Sequence, residues 1–381
     1  MARSVQVGNF RKESGNFRIL PAGLQDVAPA SRLSVERVTG RRLVMHDWGM
    51  TVPDKKRERR SVCHGSISLE CHAVTSMFER RFHLLPEASG IDGLMAAEAF
   101  GDAIALLAQS FIASHVAAPR PSALFASQQR WLLSQAALAR HFRAAGAGGP
   151  GVSRRAIGHL AVQHSIASRN TAYAFFDEIL KYGLVLPAPE ESRAGEVVPA
   201  PAALLVLGGW YEVHLAALDC IDGGDRGSRF RSAPERLLPL LAPAIGDRLL
   251  ASPEIRRPGP LYRIFAWIDA GGHLMDRLVA GIDRHASRPG GYLTDVRSIS
   301  HLADFLALSR AHTSRKFAEA ESIGGLGWNG RRGRSRIWIS DGFYTEYAMA
   351  QARKLIIFQE AFAEIGGRAP KMDDEDCAVF S

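Results

Sequence analysis

The sequence predicts a mainly α-helical protein that contains one helical unit twice, each copy followed by a short β-hairpin. Three observations support this. Apolar residues recur at helical spacing through most of the chain after residue 94. Shifted by 142 residues, the chain matches itself without a gap over 132–184. Each copy ends at a Gly-Leu pair, and β-prone segments separated by turn-forming residues follow it.

Composition and length describe an ordinary globular protein of more than one domain. The 381 residues are 46% hydrophobic and 23% charged, and two or three domains are typical of that length. We expect no membrane span, because no apolar run reaches about 18 residues. The N-terminus lacks the apolar stretch of a signal peptide, so we expect a cytoplasmic, nucleoid-associated protein.

The charge balance is compatible with a nucleic-acid partner. The net charge is +8, and seven of the 47 basic residues are Lys. Arg makes planar, bidentate contacts with phosphate and guanine. A GC-rich genome would produce the same bias, so the position of the Arg residues carries more weight than their number.

The chain shows no signature of a metal site, a cofactor site or an enzyme. Cys63-His64 and Cys71-His72 could supply four zinc ligands, but their spacing matches no familiar zinc module. A phosphate-binding Gly-Lys loop, a Gly-x-Ser-x-Gly elbow and a His-Glu-x-x-His pair are all missing. We therefore expect no cofactor and no catalytic residues.

Four segments follow from the periodicity. Residues 1–90 are polar with no sustained period, and they include the charge run 55–60. Residues 91–225 and 226–366 each hold one copy of the unit with its flanking helices, and an acidic tail occupies 367–381. We expect helices at 94–115, 124–145, 153–164, 168–182, 202–222, 234–251, 261–285, 296–306, 310–322 and 343–365.

The repeated string Arg-x-Ile-x-His-Leu-Ala begins at Arg155 and again at Arg297. Its Ile, Leu and Ala fall on one helical face in both copies. A short turn and a third helix follow, and the match places Thr171 over Thr313, Phe175 over Phe317 and Gly183 over Gly325. This order predicts a helix-turn-helix, whose second helix enters the major groove of DNA.

The hairpins occupy the position of a wing. In the second copy, 327–340 places β-prone residues on both sides of a Gly- and Arg-rich turn. In the first copy, 184–186 and 197–198 flank a turn that contains Glu190, Glu191, Arg193 and Glu196. The second wing is expected to bind phosphates or the minor groove, and the first to be repelled by them.

The segment IGHLAVQHSIASRNTAYAFFDEILKYGLV resembles the MarR-type winged-helix transcription regulators, over about 125–200 and again over about 262–345. The family usually works as a homodimer with one winged helix per chain. The resemblance implies a pseudo-twofold dimer within one chain, with long scaffold helices near 94–115, 203–222 and 343–365. Whether the protein is a monomeric pseudo-dimer or a homodimer stays open.

Small polar and basic side chains at the start of each third helix, and Arg in the second wing, are the expected DNA contacts. These candidates are Ser168, Arg169, Asn170, Thr171 and Tyr173 in the first copy, and Arg310, His312, Thr313, Ser314, Arg315, Lys316, Arg331, Arg332, Arg334 and Arg336 in the second. For His159 and His301, which occupy matching positions, we expect either packing in the domain or contact with phosphates.

The pattern predicts a sequence-specific regulator that binds duplex DNA, with RNA polymerase or another regulator as a further partner. Two other classes also fit. A plasmid- or phage-type replication initiator can use tandem winged helices, and a winged helix can serve as a protein-interaction module. The Arg-rich second wing argues against the module, whereas the acidic first wing is compatible with it.

Overall fold

The computed structural model describes residues 90–147, 151–189, 192–286 and 288–368. The chain is mainly helical, with two small antiparallel sheets. The polar segment 1–89 with its charge run and Cys-His pairs, Glu190 and Glu191 of the first hairpin, and the acidic stretch 373–376 lie outside the described residues.

The first half of the described chain contains seven helices and three strands. In chain order these are α1 (Ile91–Ala96), α2 (Phe100–Ala117), α3 (Pro119–Phe125), α4 (Gln128–Ala147), β1 (Val152–Ser153), α5 (Arg154–Gln163), α6 (Arg169–Lys181), β2 (Val185–Pro187), β3 (Glu196–Pro199) and α7 (Pro201–Asp222).

The second half follows the same order, with one added short helix, α10. Its elements are α8 (Arg226–Ser232), α9 (Pro234–Ala251), α10 (Pro253–Arg256), α11 (Pro260–Ala266), α12 (Gly271–Ala280), β4 (Gly291–Leu293), α13 (Ile299–Phe305), α14 (Arg310–Ser322), β5 (Leu326–Trp328), β6 (Ile337–Ser340) and α15 (Asp341–Arg368). We call 128–199 the first repeat and 271–340 the second repeat.

The two sheets have the same topology. In the first repeat β3 lies between β1 and β2, and Val197 pairs with Val152 on one side and Pro187 on the other. In the second repeat β6 lies between β4 and β5, and Ile339 pairs with Tyr292 and Leu326. All pairings are antiparallel, so each repeat closes a helical core with a sheet built from its first strand and its terminal hairpin.

The turns that precede α6 and α14 begin alike. Ser165 and Ala307 adopt left-handed backbone conformations, with φ of 53° and 54°. The next amide hydrogen-bonds back into the preceding helix in both repeats, at 2.9 Å and 2.7 Å. A serine then caps each following helix: Ser168 Oγ accepts from Thr171 N, and Ser309 Oγ accepts from His312 N.

The first turn is one residue longer than the second, because Ala167 has no counterpart. The gap-free match is therefore wrong beyond the turn. Counted from the capping serines, Phe317 takes the position of Phe176, not Phe175. The glycines with positive φ that end the helices are Gly183 and Gly324, not Gly325.

One helix expected over 261–285 is two, α11 and α12. Ala270 adopts a left-handed conformation with φ of 50°, which ends helical continuity before α12. A Cβ on Gly271 would lie 1.7 Å from the Phe265 carbonyl oxygen. The chain can bend this tightly because that position has no side chain.

A long helix that lies ahead of each repeat in the chain packs against the other repeat. Helix α9 packs along α4 of the first repeat, where Gly246 lies against Ala139. Helix α2 packs along α12 of the second repeat, where the His115 and His273 rings lie 5.0 Å apart. The two repeats thus exchange helices, and the described residues between 90 and 368 cluster as one compact unit.

Helices α7 and α15, which follow the two repeats, pack against each other through aromatic side chains. Phe358 contacts Trp210 at 5.3 Å, Tyr211 at 5.1 Å and His214 at 4.9 Å between ring centroids. Tyr211 also donates a hydrogen bond to Gln135 Oε1 of α4 at 2.8 Å. The long helices expected as a scaffold correspond to α2, α7 and α15, and α9 packs against α15.

Two helices of the described chain, α2 and α7, are long and apolar enough to cross a membrane, with mean hydropathy of 1.3 and 1.4. Both also carry core residues, such as Leu107 and Tyr211, which are fully buried. The absence of a membrane span stays a prediction from the sequence.

Candidate nucleic-acid interface

The start of α6 presents short polar side chains to solvent. Ser168, Arg169, Asn170 and Thr171 are all exposed. Ser168 Oγ accepts from Thr171 N at 3.1 Å and lies 2.9 Å from Thr171 Oγ1. These two residues therefore fix the helix start, and Arg169 and Asn170 are left as the longer side chains able to reach a ligand.

Tyr173 is half-buried and lies over α5. An added Cβ on Gly158 would lie 2.5 Å from the Tyr173 ring, so a side chain at Gly158 would displace it. The Arg154 guanidinium stacks 4.2 Å from the ring centroid and makes two hydrogen bonds of 2.9 Å to Asp177. The Tyr173 side chain therefore packs against α5 beside Arg169, and it does not protrude from the start of α6 as the other candidates do.

The start of α14 is exposed at His312, Ser314 and Arg315, as expected. Thr313 instead lies in the core, four residues after the capping Ser309, and its side chain is 1% exposed. Thr313 therefore leaves the candidate set. The one-residue difference between the turns explains the error, since Thr313 matches the buried Ala172 and not the exposed Thr171.

Two other cations of the second repeat are paired with acidic side chains. Arg310 makes a bidentate ion pair with Asp304 of α13, with Nε to Oδ1 at 2.7 Å. The hydrogen bond from Arg310 holds the pKa of Asp304 below its ordinary value. Lys316 Nζ lies 2.8 Å from Glu319. Exposed pairs of this kind contribute little to stability, so an anion can compete for either cation.

The loop between β5 and β6 presents Arg331, Arg332 and Arg334 to solvent. A tight turn holds them together, in which the Arg331 carbonyl accepts from the backbone N of Arg334 at 3.0 Å. Arg332 also lies 3.3 Å from Glu321 of α14. The loop is therefore a basic surface adjoining the C-terminal part of α14, and we call these three residues the arginine loop.

Arg336 does not belong to the arginine loop, contrary to expectation. Its side chain is 25% exposed and turns back onto the sheet. Its Nε donates to the Thr294 carbonyl at 2.6 Å, and a terminal nitrogen donates to Asp283 at 2.9 Å. The hydrogen bond from Arg336 lowers the pKa of Asp283. Arg336 joins the second sheet to the chain that precedes it.

Sequence reasoning missed Arg288. Its guanidinium stacks 4.0 Å from the centroid of the Trp338 ring, and it lies 3.4 Å from Asn329 Oδ1 at the base of the arginine loop. No local pattern could identify it, because both residues that it contacts lie more than 40 positions away in the sequence.

Four further residues at matching positions are exposed, namely Arg155 and His159 on α5 and Arg297 and His301 beside and on α13. The two histidines were expected to be either packed or in contact with phosphates. Because both histidines are exposed, contact with phosphates remains their expected role. The signal that identifies the arginines is the repeat itself, in which Arg and His recur at the same spacing within this one chain.

The first hairpin differs in charge from the arginine loop. Glu196 Oε1 accepts from Gly151 N at 2.8 Å, which joins β3 to the strand before α5. This carboxylate therefore has a structural role in the sheet. Basic candidates in the first repeat lie on α5 and α6, whereas the second repeat has three more in the arginine loop.

Within the described ranges, no group of three or more His, Cys, Asp or Glu side chains could hold a metal ion. The Cys-His pairs near the N-terminus lie outside those ranges. No protein-family model, no curated protein and no solved structure matches the chain.

Proposed function

We propose that the protein binds duplex DNA in a sequence-specific way and regulates transcription. Each repeat would be a winged helix-turn-helix domain, with α6 and α14 as the recognition helices and the terminal hairpins as the wings. The two domains would form a pseudo-twofold dimer within one chain. The observation that carries the proposal is the arrangement common to both repeats, a serine-capped helix with an exposed polar start beside a three-stranded sheet.

The exposed side chains supply the chemistry of base and phosphate recognition. Arg169 and Arg315 can each make a bidentate contact with guanine, and Asn170 can do so with adenine. The arginine loop provides three cations for phosphates or a minor groove. Arg155 and Arg297, at matching positions, add a phosphate contact to each repeat.

The two repeats would read different sequences. The first offers Arg169 and Asn170 at its helix start, whereas the second offers His312, Ser314 and Arg315 together with the arginine loop. A non-palindromic site with two unequal halves follows from this difference. The exchange of α2 and α9 between the repeats would hold the spacing of the half-sites constant.

Selection from genomic DNA tests the proposal. Fragmented genomic DNA is captured on the purified full-length chain at moderate salt and sequenced, with an Arg169→Ala/Arg315→Ala chain as the control. A shared bipartite motif upstream of genes, absent with the control, is the expected result. Iterated sites at one origin would instead favour a replication initiator. No enrichment over background would overturn specific DNA binding and favour a protein-interaction module.

A further inference from the structure

Ser122, His273 and Asp276 form a chain of hydrogen bonds away from both proposed recognition helices. Ser122 Oγ lies 2.8 Å from His273 Nε2, and His273 Nδ1 lies 3.3 Å from Asp276 Oδ2. All three residues are buried, with exposures of 7%, 6% and 5%. A hydroxyl, an imidazole and a carboxylate linked in this way activate a serine for nucleophilic attack, and such triads are recognised by geometry and not by sequence order.

The positions of the protons in this chain follow from Asp276. Its other oxygen, Oδ1, accepts from Tyr347 Oη at 2.7 Å, and an ionised carboxylate can only accept. His273 Nδ1 therefore donates to Asp276, which leaves Nε2 with a lone pair for the Ser122 hydroxyl proton. His273 is thus placed as a general base, and Asp276 as the residue that orients it.

Helices α3 and α12 hold the serine against the histidine. Ser122 lies on α3, and His273 and Asp276 lie about one turn apart on α12. The backbone N of Gly272 donates to the Ala126 carbonyl at 2.9 Å, which joins the start of α12 to the end of α3. The sequence predicts no catalytic residues because no local motif links Ser122 to His273, which is 151 positions away.

All three residues line a cavity of about 100 Å³. Helices α2, α4, α7, α11 and α15 complete its wall, which is mainly apolar and aromatic. Ser114 and Gly209 also line the cavity and are exposed, so it reaches solvent between α2 and α7. An apolar cavity of about 150 Å³ admits benzene, so this one suits an acyl group of a few carbons.

Two buried donors of the same cavity have unused capacity. Trp131 is 6% exposed, and its indole Nε1 has no hydrogen-bond partner among the described residues. Lys354 is 8% exposed and, within the same residues, donates one hydrogen bond, to Gln351 Oε1 at 3.2 Å. Burial lowers the pKa of Lys354 to about 8, so its ammonium group is still mostly charged at pH 7. Preorganised donors of this kind stabilise an oxyanion that develops during acyl transfer.

We propose that the protein also hydrolyses carboxylic esters with a short acyl group, with Ser122 as the nucleophile. Ser122 Oγ forms a bond to the ester carbonyl carbon while His273 Nε2 takes the hydroxyl proton. His273 then gives this proton to the leaving alkoxide, which departs as the alcohol and leaves an acyl-enzyme. Water attacks the acyl carbon in the same way, with its proton passing through His273 to Ser122 Oγ, and the carboxylic acid is released. This activity does not depend on the proposed DNA binding.

The first test is hydrolysis of p-nitrophenyl butyrate by the full chain, measured as release of p-nitrophenolate. We expect saturable turnover above the rate in buffer, and Ser122→Ala should lower kcat/KM by at least about 100-fold. Ser134→Ala is the matched control. Ser134 is equally buried, but it lies outside the cavity on α4 and donates to the Arg130 carbonyl at 2.7 Å, so its loss should leave hydrolysis unchanged.

Asp276→Asn tests the positioning role of the carboxylate. The amide can no longer stabilise the imidazolium that forms at His273, so kcat should fall by at least about 100-fold while KM stays within about threefold of its wild-type value. An unchanged kcat in this variant would overturn the triad.

A fluorophosphonate ester provides a readout in the wild-type chain that does not depend on the folding of any variant. Ser122 Oγ displaces fluoride from phosphorus while His273 takes the hydroxyl proton, and peptide mass spectrometry then locates the phosphonyl group. We expect one label per chain, on Ser122, and none on Ser134. No label on Ser122, or equal turnover by Ser122→Ala and wild type, would overturn the proposal.

Discussion

Gly246 of α9 lies so close to Ala139 of α4 that a Cβ added to Gly246 would stand 2.8 Å from the Cβ of Ala139. The same Cβ would stand 3.1 Å from the Gln135 carbonyl oxygen. Two small residues thus allow close contact between α9, a long helix ahead of the second repeat, and α4, the first helix of the first repeat. This close approach lies within the helix exchange that joins the repeats.

We expect Gly246→Ala to destabilise the protein by about 1–3 kcal/mol, because the added methyl group must displace backbone that cannot move freely. Gly208→Ala is the matched control. Gly208 lies inside α7 with open space around its Cβ position, so alanine there should stabilise the helix by about 0.5–1 kcal/mol. Urea unfolding of both variants measures the two effects. Equal effects of the two substitutions would show that α9 and α4 are not in close contact.

Separating the two repeats should expose buried apolar side chains of α4 to solvent. Residues 90–225 alone lack α9, and α4 would then present Leu132, Leu138 and Ala139 without the helix that packs along it. We expect this piece not to unfold cooperatively by circular dichroism. Mixing it with residues 226–368 should restore a cooperative transition. Cooperative unfolding of 90–225 alone, at a stability similar to that of the whole chain, would contradict the exchange.

The helical segments and the repeat could be predicted from the sequence because both depend on local patterns. Helical spacing of apolar residues predicts most helices, and the shared Arg-x-Ile-x-His-Leu-Ala string predicts the pairing of α5 with α13. The expected Thr313 contact failed for a physical reason. A turn can be one residue shorter and still place a capping serine at the start of the next helix, and a gap-free match cannot show that.

Other parts of the candidate site depend on contacts between distant positions. Arg334 and Arg336 look equivalent in the sequence, yet Arg336 is held by Asp283 and the Thr294 carbonyl, more than 40 positions away. The exchange of α2 and α9 could not be predicted either. The spacing of apolar residues shows which face of a helix is buried, but not which helix packs against it. Lys354 also looks like an ordinary surface residue until α4 and α7 are placed around it.

The arginine loop should supply much of the electrostatic affinity for DNA. We expect replacement of Arg331, Arg332 and Arg334 by Ala to weaken DNA binding strongly. The dependence of log Kd on log salt should fall by about one for each phosphate that the loop no longer neutralises. Fluorescence anisotropy over a series of salt concentrations measures both effects. Arg336→Ala is the control, since it should lower stability but leave the salt dependence intact. An unchanged slope in the triple variant would remove the loop from the interface.

The two proposed recognition helices should specify different halves of the DNA site. Arg169→Ala should relax base preference in one half and Arg315→Ala in the other, each weakening binding to the preferred sequence by about 1–3 kcal/mol. Selection from a randomised duplex library, with the wild-type chain alongside, measures this position by position. A uniform weakening with no change of base preference would instead identify both residues as phosphate contacts.

Lys354 should reduce stability below pH 8, and this effect should disappear as pH rises. Its pKa is about 8 in the folded chain and about 10.5 when unfolded, so the unfolded state binds more protons between these values and stability rises with pH there. Lys354→Met should therefore stabilise the protein at pH 7 by up to about 3 kcal/mol, and this advantage should disappear near pH 10.5.

Unfolding by urea at both pH values measures the difference in stability between Lys354→Met and wild type. Lys181→Met, which changes an exposed cation, should show no such difference. The nearby groups Asp276, His273, Tyr347, Tyr262 and His214 are present in all three chains, so comparison with wild type isolates the contribution of Lys354. A Lys354→Met advantage that is the same at pH 7 and pH 10.5 would mean that better packing, and not removal of the buried charge, stabilises the variant.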